Sequence, residues 1–368
     1  MKYRVTVLTP TLVGNGSRLS PIDYMVWRDQ VNVLDQTRIF KLLSKGPRLE
    51  GYLTQLRRAT KLDFASWGGF AQNYADRRIP FEDAAYMPLW NAAPPDALSI
   101  PTFAATEAGP FLPGAAIKGA LRTGLVFAKA KPAAVRDLAE KLKTERLPRR
   151  PAESLEQHTA GSGGSDRMRA ISVGDSDSQS REAFRVYMLK ISTLTPRGPQ
   201  QYGLGWKPTP TFAEMADPGT SFEGTWRENE FLNREEVRQS LRWNQPVTHQ
   251  TLFEAANQYA AKQLEIHGQY AKWSGLESLA ASIAGLQNRL EAARNEGGCL
   301  LAIGWGAGFL SKSAAIGVDE ADYRQLLGML PFYQRAIQTG LPFPKTRRIV
   351  YLKNKPATLP GWVEIRIG

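Results

Sequence analysis

The chain has 368 residues, enough for about two domains of ordinary size. With 42% hydrophobic and 22% charged residues it can bury a core, which excludes a wholly disordered chain. Its 47 Lys and Arg against 35 Asp and Glu leave a net charge of +12, a field that attracts polyanions, nucleic acid before anionic membrane, although charge alone also fits a merely basic protein.

In chain order, Tyr3, Val5 and Val7 alternate with Arg4 and Thr6 and predict a half-buried strand ended by Thr9-Pro10. A Gly-rich turn, Val13-Gly14-Asn15-Gly16-Ser17, follows, then an extended pair at Tyr24–Trp27 and Val31–Leu34 turned by Arg28-Asp29-Gln30. Residues 36–60 look helical, while 61–109 are rich in Pro, Gly and aromatic residues and give little regular signal. Phe111-Leu112-Pro113-Gly114 opens a clear helix with Ile117, Leu121 and Leu125 on one face; a second helix is expected from about 133 to 145.

Composition shifts at 147–182, where Pro, Arg, Ser, Gly and Gln dominate. Most of this stretch reads as a mobile, disordered insertion interrupted by a short strand, Ala170-Ile171-Ser172-Val173. Residues 185–194 are apolar on both faces except Lys190 and predict a central strand. Phe222, Gly224 and Trp226 mark another. Thr251-x-x-Glu254 offers a capping box for a helix carrying Phe253, Ala256, Ala260 and Leu264, and Leu276, Leu279, Ile283, Leu286 and Leu290 mark the next. So short a run favours a packed helical hairpin over a coiled coil. Cys299–Ile303 reads as a buried strand and Val363, Ile365 and Ile367 as the last one. Strands at both ends of each half with helices between imply an α+β fold.

Cys299 is the one cysteine, so an intrachain disulfide is excluded. His158, His249 and His267 lie far apart without metal-ligand spacing, so zinc sites of the common kinds are not expected, and no metal or cofactor is. The opening Met1-Lys2-Tyr3-Arg4 lacks a signal-peptide core, and no run approaches the ~18 apolar residues of a membrane span. The expectation is a cytoplasmic protein.

Three segments could carry function. In Pro113-Gly114-Ala115-Ala116-Ile117-Lys118-Gly119-Ala120-Leu121-Arg122, a Gly at a helix start allows close approach of backbone amides to a phosphate, and Lys118 and Arg122 share a face. The alternative is a helix that exposes two charges. Gly304-Trp305-Gly306-Ala307-Gly308-Phe309-Leu310-Ser311-Lys312 places three glycines at alternate positions with aromatic residues able to stack on bases. It matches neither a Walker A loop nor a dinucleotide fingerprint. In Pro342-Phe343-Pro344-Lys345-Thr346-Arg347-Arg348 the prolines stiffen a bunch of cations suited to RNA backbone contacts, or to a solvated loop. No nucleophile elbow or His–carboxylate pair appears, and Asp23, just past the first Gly turn, is the one weak catalytic candidate; an Asp there is usually structural.

Leu8-Thr9-Pro10, Val13-Gly14-Asn15-Gly16 and Pro21-Ile22-Asp23-Tyr24 together resemble the start of RAMP-superfamily proteins of CRISPR effector complexes. Phe111 to Arg122 looks like the superfamily's Pro-Gly signature, and Gly304–Gly308 with Phe309 and Lys312 resembles its C-terminal Gly-rich loop. Phe343-Pro344-Lys345-Thr346-Arg347 and Pro360-Gly361-Trp362-Val363 are similar to the tail of the guide-capping member of type III-A (Csm) complexes.

The resemblance implies two ferredoxin-like (RRM-like) domains with helical and disordered insertions: residues 1–230 with the insertion at 147–182, and residues 231–368 with the helical hairpin. It implies a non-catalytic RNA-binding subunit that caps the 3′ part of the crRNA and the end of the backbone filament. Expected partners are crRNA, target RNA, the repeated backbone subunit, the small subunit, and host nucleases that mature the guide. Guides differ in sequence, so the grip should be on phosphates. Gly14, Asn15, Gly16, Pro113, Gly114, Lys118, Arg122, Gly304, Trp305, Gly306, Gly308, Phe309, Lys312, Lys345 and Arg347 are the expected RNA contacts. The competing readings are a metal-dependent ribonuclease using Asp23 and Asp175, because Mg²⁺ needs few carboxylates, and a RAMP nuclease that processes the guide precursor.

Overall fold

The computed structural model describes residues 1–46, 48–58, 73–144, 149–199, 201–317 and 320–368. In chain order its strands and helices begin with β1 (Lys2–Val7), β2 (Arg18–Leu19), β3 (Tyr24–Trp27), β4 (Gln30–Leu34), α1 (Gln36–Leu43), α2 (Leu49–Arg58), β5 (Ala75–Pro80) and α3 (Met87–Ala92). There follow β6 (Ile100–Pro101), β7 (Ala105–Thr106), β8 (Gly109–Pro110), α4 (Gly114–Lys129), α5 (Pro132–Thr144), α6 (Glu153–Ala160), β9 (Ile171–Ser176) and β10 (Phe184–Gly198). Next come β11 (Gln201–Trp206), β12 (Thr211–Ala216), β13 (Ser221–Glu228), α7 (Glu230–Asn233), α8 (Glu235–Ser240), α9 (His249–Ser274) and α10 (Glu277–Asn295). The chain closes with β14 (Cys299–Ala302), α11 (Glu320–Met329), α12 (Pro331–Gln338), β15 (Thr346–Leu352), β16 (Lys355–Thr358) and β17 (Trp362–Ile367).

The architecture is α+β, with two curled antiparallel sheets as expected of paired ferredoxin-like domains. The first runs β14-β17-β1-β13-β9. Tyr3, Val5 and Val7 of β1 are buried as their alternation requires. The second runs β11-β10-β15-β16. The long β10 is central, as its apolar faces predict: its first half pairs with β12, its second with β11, and β15 lies along its other edge. Each sheet takes strands from both sides of residue 230.

The helices cover these sheets with the predicted faces. Ile117, Leu121 and Leu125 of α4 enter the largest core together with β1 and β17. At Gly124 that helix crosses α9 so closely that a Cβ would lie 2.9 Å from the Ala256 Cα. The hairpin of α9 and α10 turns at Gly275, in the left-handed region, and buries Leu264, Leu279, Ile283, Leu286 and Leu290 in one cluster. Its cap differs from expectation. Thr248 is the N-cap and Thr251 the third helical residue, reciprocally bonded, so the helix starts one turn earlier than Thr251-x-x-Glu254 suggests.

Two other expectations change. Of residues 36–60, the described ones form two helices, α1 and α2, the first ending at Leu43; residues 47, 59 and 60 lie outside the described residues. Most of 147–182, read from composition as mobile and disordered, carries regular structure; residues 147–148 lie outside the described residues. Its α6 buries Leu155, Thr159 and Ala160, short 3₁₀ turns bury Met168 and Ala170, and β9 hydrogen-bonds to β13. A few apolar anchors in a polar stretch suffice when each lands in an existing core. A third, smaller sheet, β3-β4-β5, packs through Tyr24, Val31 and Ile79, together with Trp90 of α3, onto Phe212 of β12. The Trp90 and Phe212 rings meet edge to face at 4.8 Å.

Candidate nucleic-acid interface

The first Gly turn and the Gly-rich loop meet at one corner. Gly304 has φ +76, and a Cβ there would collide with the Leu12 carbonyl, so only glycine admits this approach. The Trp305 amide then donates to Leu12 O at 2.7 Å, and Ile303 and Gly361 join the corner through Ile303 N to Gly361 O (2.8 Å) and Gly361 N to Pro10 O (3.0 Å). Gly14, Asn15 and Gly16 lie exposed just beyond Val13, with Asn15 Oδ1 accepting from Ser17 N at 3.0 Å. Two motifs 290 residues apart, at 14 and 304, thus become neighbours through a backbone bridge.

At this corner the Arg348 guanidinium lies over the Trp305 ring, 4.1 Å from its centroid. Burial lowers the pKa of Arg348, and its Nε has no hydrogen-bond partner. The guanidinium is held face-on against an aromatic ring, with its unpaired Nε itself buried. Two adjoining hollows share Ile191 as a wall. One is lined by Gly306, Gly308, Phe309, Thr346 and Arg348; the other by Trp305, Arg18, Lys207 and Thr209. Arg348 stands inside a motif that the sequence picks out but is not among its expected contacts. Arg18 and Lys207 carry no sequence signal beyond being cations beside turns.

Other expected contacts are placed differently. The helix start at Pro113-Gly114 is closed by the chain itself. The Gly114 amide donates to Asp175 Oδ1 at 2.8 Å, and a Cβ on Gly114 would strike the carbonyls of Val173 and Gly174. Lys118 Nζ donates to Ile171 O at 2.7 Å, and Arg122 Nη1 bonds both Asp166 oxygens at 2.9 and 2.7 Å. This signature docks β9 and the preceding turn onto α4, with the Gly114 amide, Lys118 and Arg122 each bonded within the chain.

Arg347 is also internal. It is 6% exposed, bonds His267 Nδ1 through Nε at 2.9 Å, and lies over the Tyr270 ring at 4.4 Å. Burial brings its pKa down to about 10. Strand alternation explains the exchange: in β15 Arg347 faces the core, whereas its neighbour Arg348 faces Trp305. Phe309 packs edge to face with Tyr333 at 5.2 Å and Phe343 at 5.1 Å. Lys312 is exposed and Lys345 half-buried.

Asp23 closes a turn. Its Oδ2 accepts from Ser20 N at 2.7 Å and its Oδ1 from Gln36 Nε2 at 3.1 Å. Asp175 is engaged at Gly114 on another sheet. Among the described residues no group of three or more His, Cys, Asp and Glu side chains could hold a metal ion, and no helix is long and apolar enough to cross a membrane.

A family profile described as RAMP superfamily matches residues 4–311. The chain belongs to the RAMP superfamily. Among solved structures, a chain of the cryo-EM structure of a Csm-crRNA-target RNA ternary complex in a type III-A CRISPR-Cas system superposes with a TM-score of 0.71 at 20% identity, over 100% of both chains. The crystal structure of T. onnurineus Csm5 superposes with a TM-score of 0.64 at 18% identity, over 98% of this chain and 99% of that one. At such identities the likeness is one of fold. No curated protein gives a significant match.

Proposed function

We propose that this RAMP protein is the crRNA-binding subunit of a type III-A Csm ribonucleoprotein that caps the 3′ part of the guide and the end of the backbone filament. The observation that carries the reading is the Trp305–Arg348 corner, where an aromatic ring, a guanidinium stacked on it and the cations Arg18 and Lys207 line adjoining hollows. Such a surface holds a single strand by charge and stacking without reading its sequence. Superfamily membership and the likeness of fold to the Csm neighbours support it. Contacts to the repeated backbone subunit, the small subunit and target RNA, and help to host nucleases that trim the guide, belong to the same reading.

The test is binding of a guide 3′ segment and of a scrambled strand by wild type and by a variant with Arg348→Ala and Lys207→Ala. Both strands should lose affinity together, and the salt dependence should flatten by about 0.7 for each phosphate that is no longer neutralised. Unchanged affinity and salt slope would refute the assignment.

A further inference from the structure

A second basic pocket lies away from that corner, between the C-terminal end of α4 and the first turns of α9. It has a volume of about 570 Å³, within the range of small-molecule sites. Lys129, the last residue of α4, and Arg167, from the turn before β9, both line it. Arg167 is held from behind: its Nε and Nη2 reach the carbonyls of Thr159 and Arg242 at 3.3 and 3.4 Å, and its guanidinium lies 5.9 Å from the Trp243 ring. Among the described residues neither cation has a carboxylate partner. Burial, and then the charge of Arg167, lowers the pKa of Lys129, so the two cations destabilise one another when the pocket is empty. The one carboxylate on the lining, Glu254, is exposed. At the N-terminus of α9 the Thr248 and Thr251 amides are taken by the capping box and the His249 amide by Glu228 Oε1 at 2.7 Å. Beside the cations stand an apolar wall, Val247 and Ala128, and two primary amides, Gln245 and Gln258, able to donate and accept.

We propose that this pocket binds a nucleoside monophosphate group, with the phosphate between Lys129 and Arg167 and the nucleoside against Val247 and the two amides. Two cations that repel each other in one pocket gain most from a dianion, and the amides suit the mixed edge of a base. The group comes either from a free nucleotide or from one residue of an RNA strand.

The probe is AMP, titrated into the full chain by calorimetry. Lys129→Gln and Arg167→Gln should each weaken AMP by about tenfold, the scale of one charge-assisted contact, while Arg348→Ala leaves it unchanged. In the unsubstituted chain, AMP should also shield Lys129 from acylation read by mass spectrometry, which needs no variant to fold. Displacement of AMP by a single-stranded RNA hexamer identifies a strand as the source; failure to displace it identifies a free nucleotide. Absence of AMP binding, equal affinity for inorganic phosphate, or binding indifferent to both substitutions with Lys129 unshielded would overturn the proposal. Because Arg348→Ala reports on the other corner, loss of one site leaves the other testable.

Discussion

Arg77 of β5 and Glu214 of β12 form an ion pair enclosed between the small three-stranded sheet and the second large sheet. Glu214 is fully buried and also accepts from the Phe103 amide through Oε2 at 3.3 Å. Burial, and then the charge of Arg181, brings the pKa of Arg77 down to about 10, so it stays charged at neutral pH. Removing one member strands the other in a low-dielectric site. Arg77→Ala should therefore cost about 3–5 kcal/mol, while replacing both members by apolar residues of similar volume should cost much less. Chemical denaturation of both single variants and the double variant checks this through the coupling energy.

The pair His267–Arg347 predicts a pH dependence. Arg347 donates to His267 Nδ1, so the imidazole must be neutral there, and burial, aided by the Arg347 charge, holds its pKa well below the usual value. The unfolded chain takes up this proton near pH 6.5 and the folded chain resists it, so stability is full above that value and falls as pH drops below it. The slope from this one group is at most about 1.4 kcal/mol per pH unit. His267→Gln keeps an acceptor for Arg347 without the titration. Thermal melts between pH 7.5 and 5.5 should show a shallower decline in that variant than in wild type.

Trp305 is predicted to act on RNA binding more than on folding. Its ring faces Arg348 and the hollow with Arg18 and Lys207. Trp305→Ala should reduce single-strand affinity by about 1–3 kcal/mol irrespective of sequence, measured by fluorescence anisotropy. Trp305→Phe, which keeps a stacking face, should recover most of it.

Lys118 and Arg122 give the opposite prediction. Their bonds to Ile171 O and Asp166 are internal, so Arg122→Ala should lower stability, by about 1–3 kcal/mol for a partly exposed, charge-assisted pair, without flattening the salt dependence of RNA binding. Asp166→Ala should mimic it. A salt slope that changes in either variant would return the pair to the RNA surface.

The elements were far more legible than the site. Period-2 and period-3.6 patterns locate β1, β10, β13, α4, α9 and α10 because burial imposes those periods directly. Pairing is another matter: nothing local in Tyr3 says that it lies between Gly224 and Ile367. The polar stretch around α6 misleads because composition averages over the few residues, such as Leu155 and Met168, that anchor it. At the corner, the sequence marks the glycines correctly as places of close approach, but not what approaches. At Gly304 it is Leu12, and at Gly114 it is the strand of Val173 and Gly174. Arg347 and Arg348 are chemically identical in the sequence, and only the facing of β15 separates a core cation from an available one.

The place of β1 has a consequence for biogenesis. One of its edges is covered by β13 and the other by β17, with Lys2 and Gly368 exchanging amide bonds at the seam. On the ribosome, β13 can cover one edge of this strand, while the other waits for a partner made more than 350 residues after it, and the growing polypeptide carries that open edge in the meantime. Co-expression with a holdase, or slower synthesis of the codons for β17, should then change the yield of native protein.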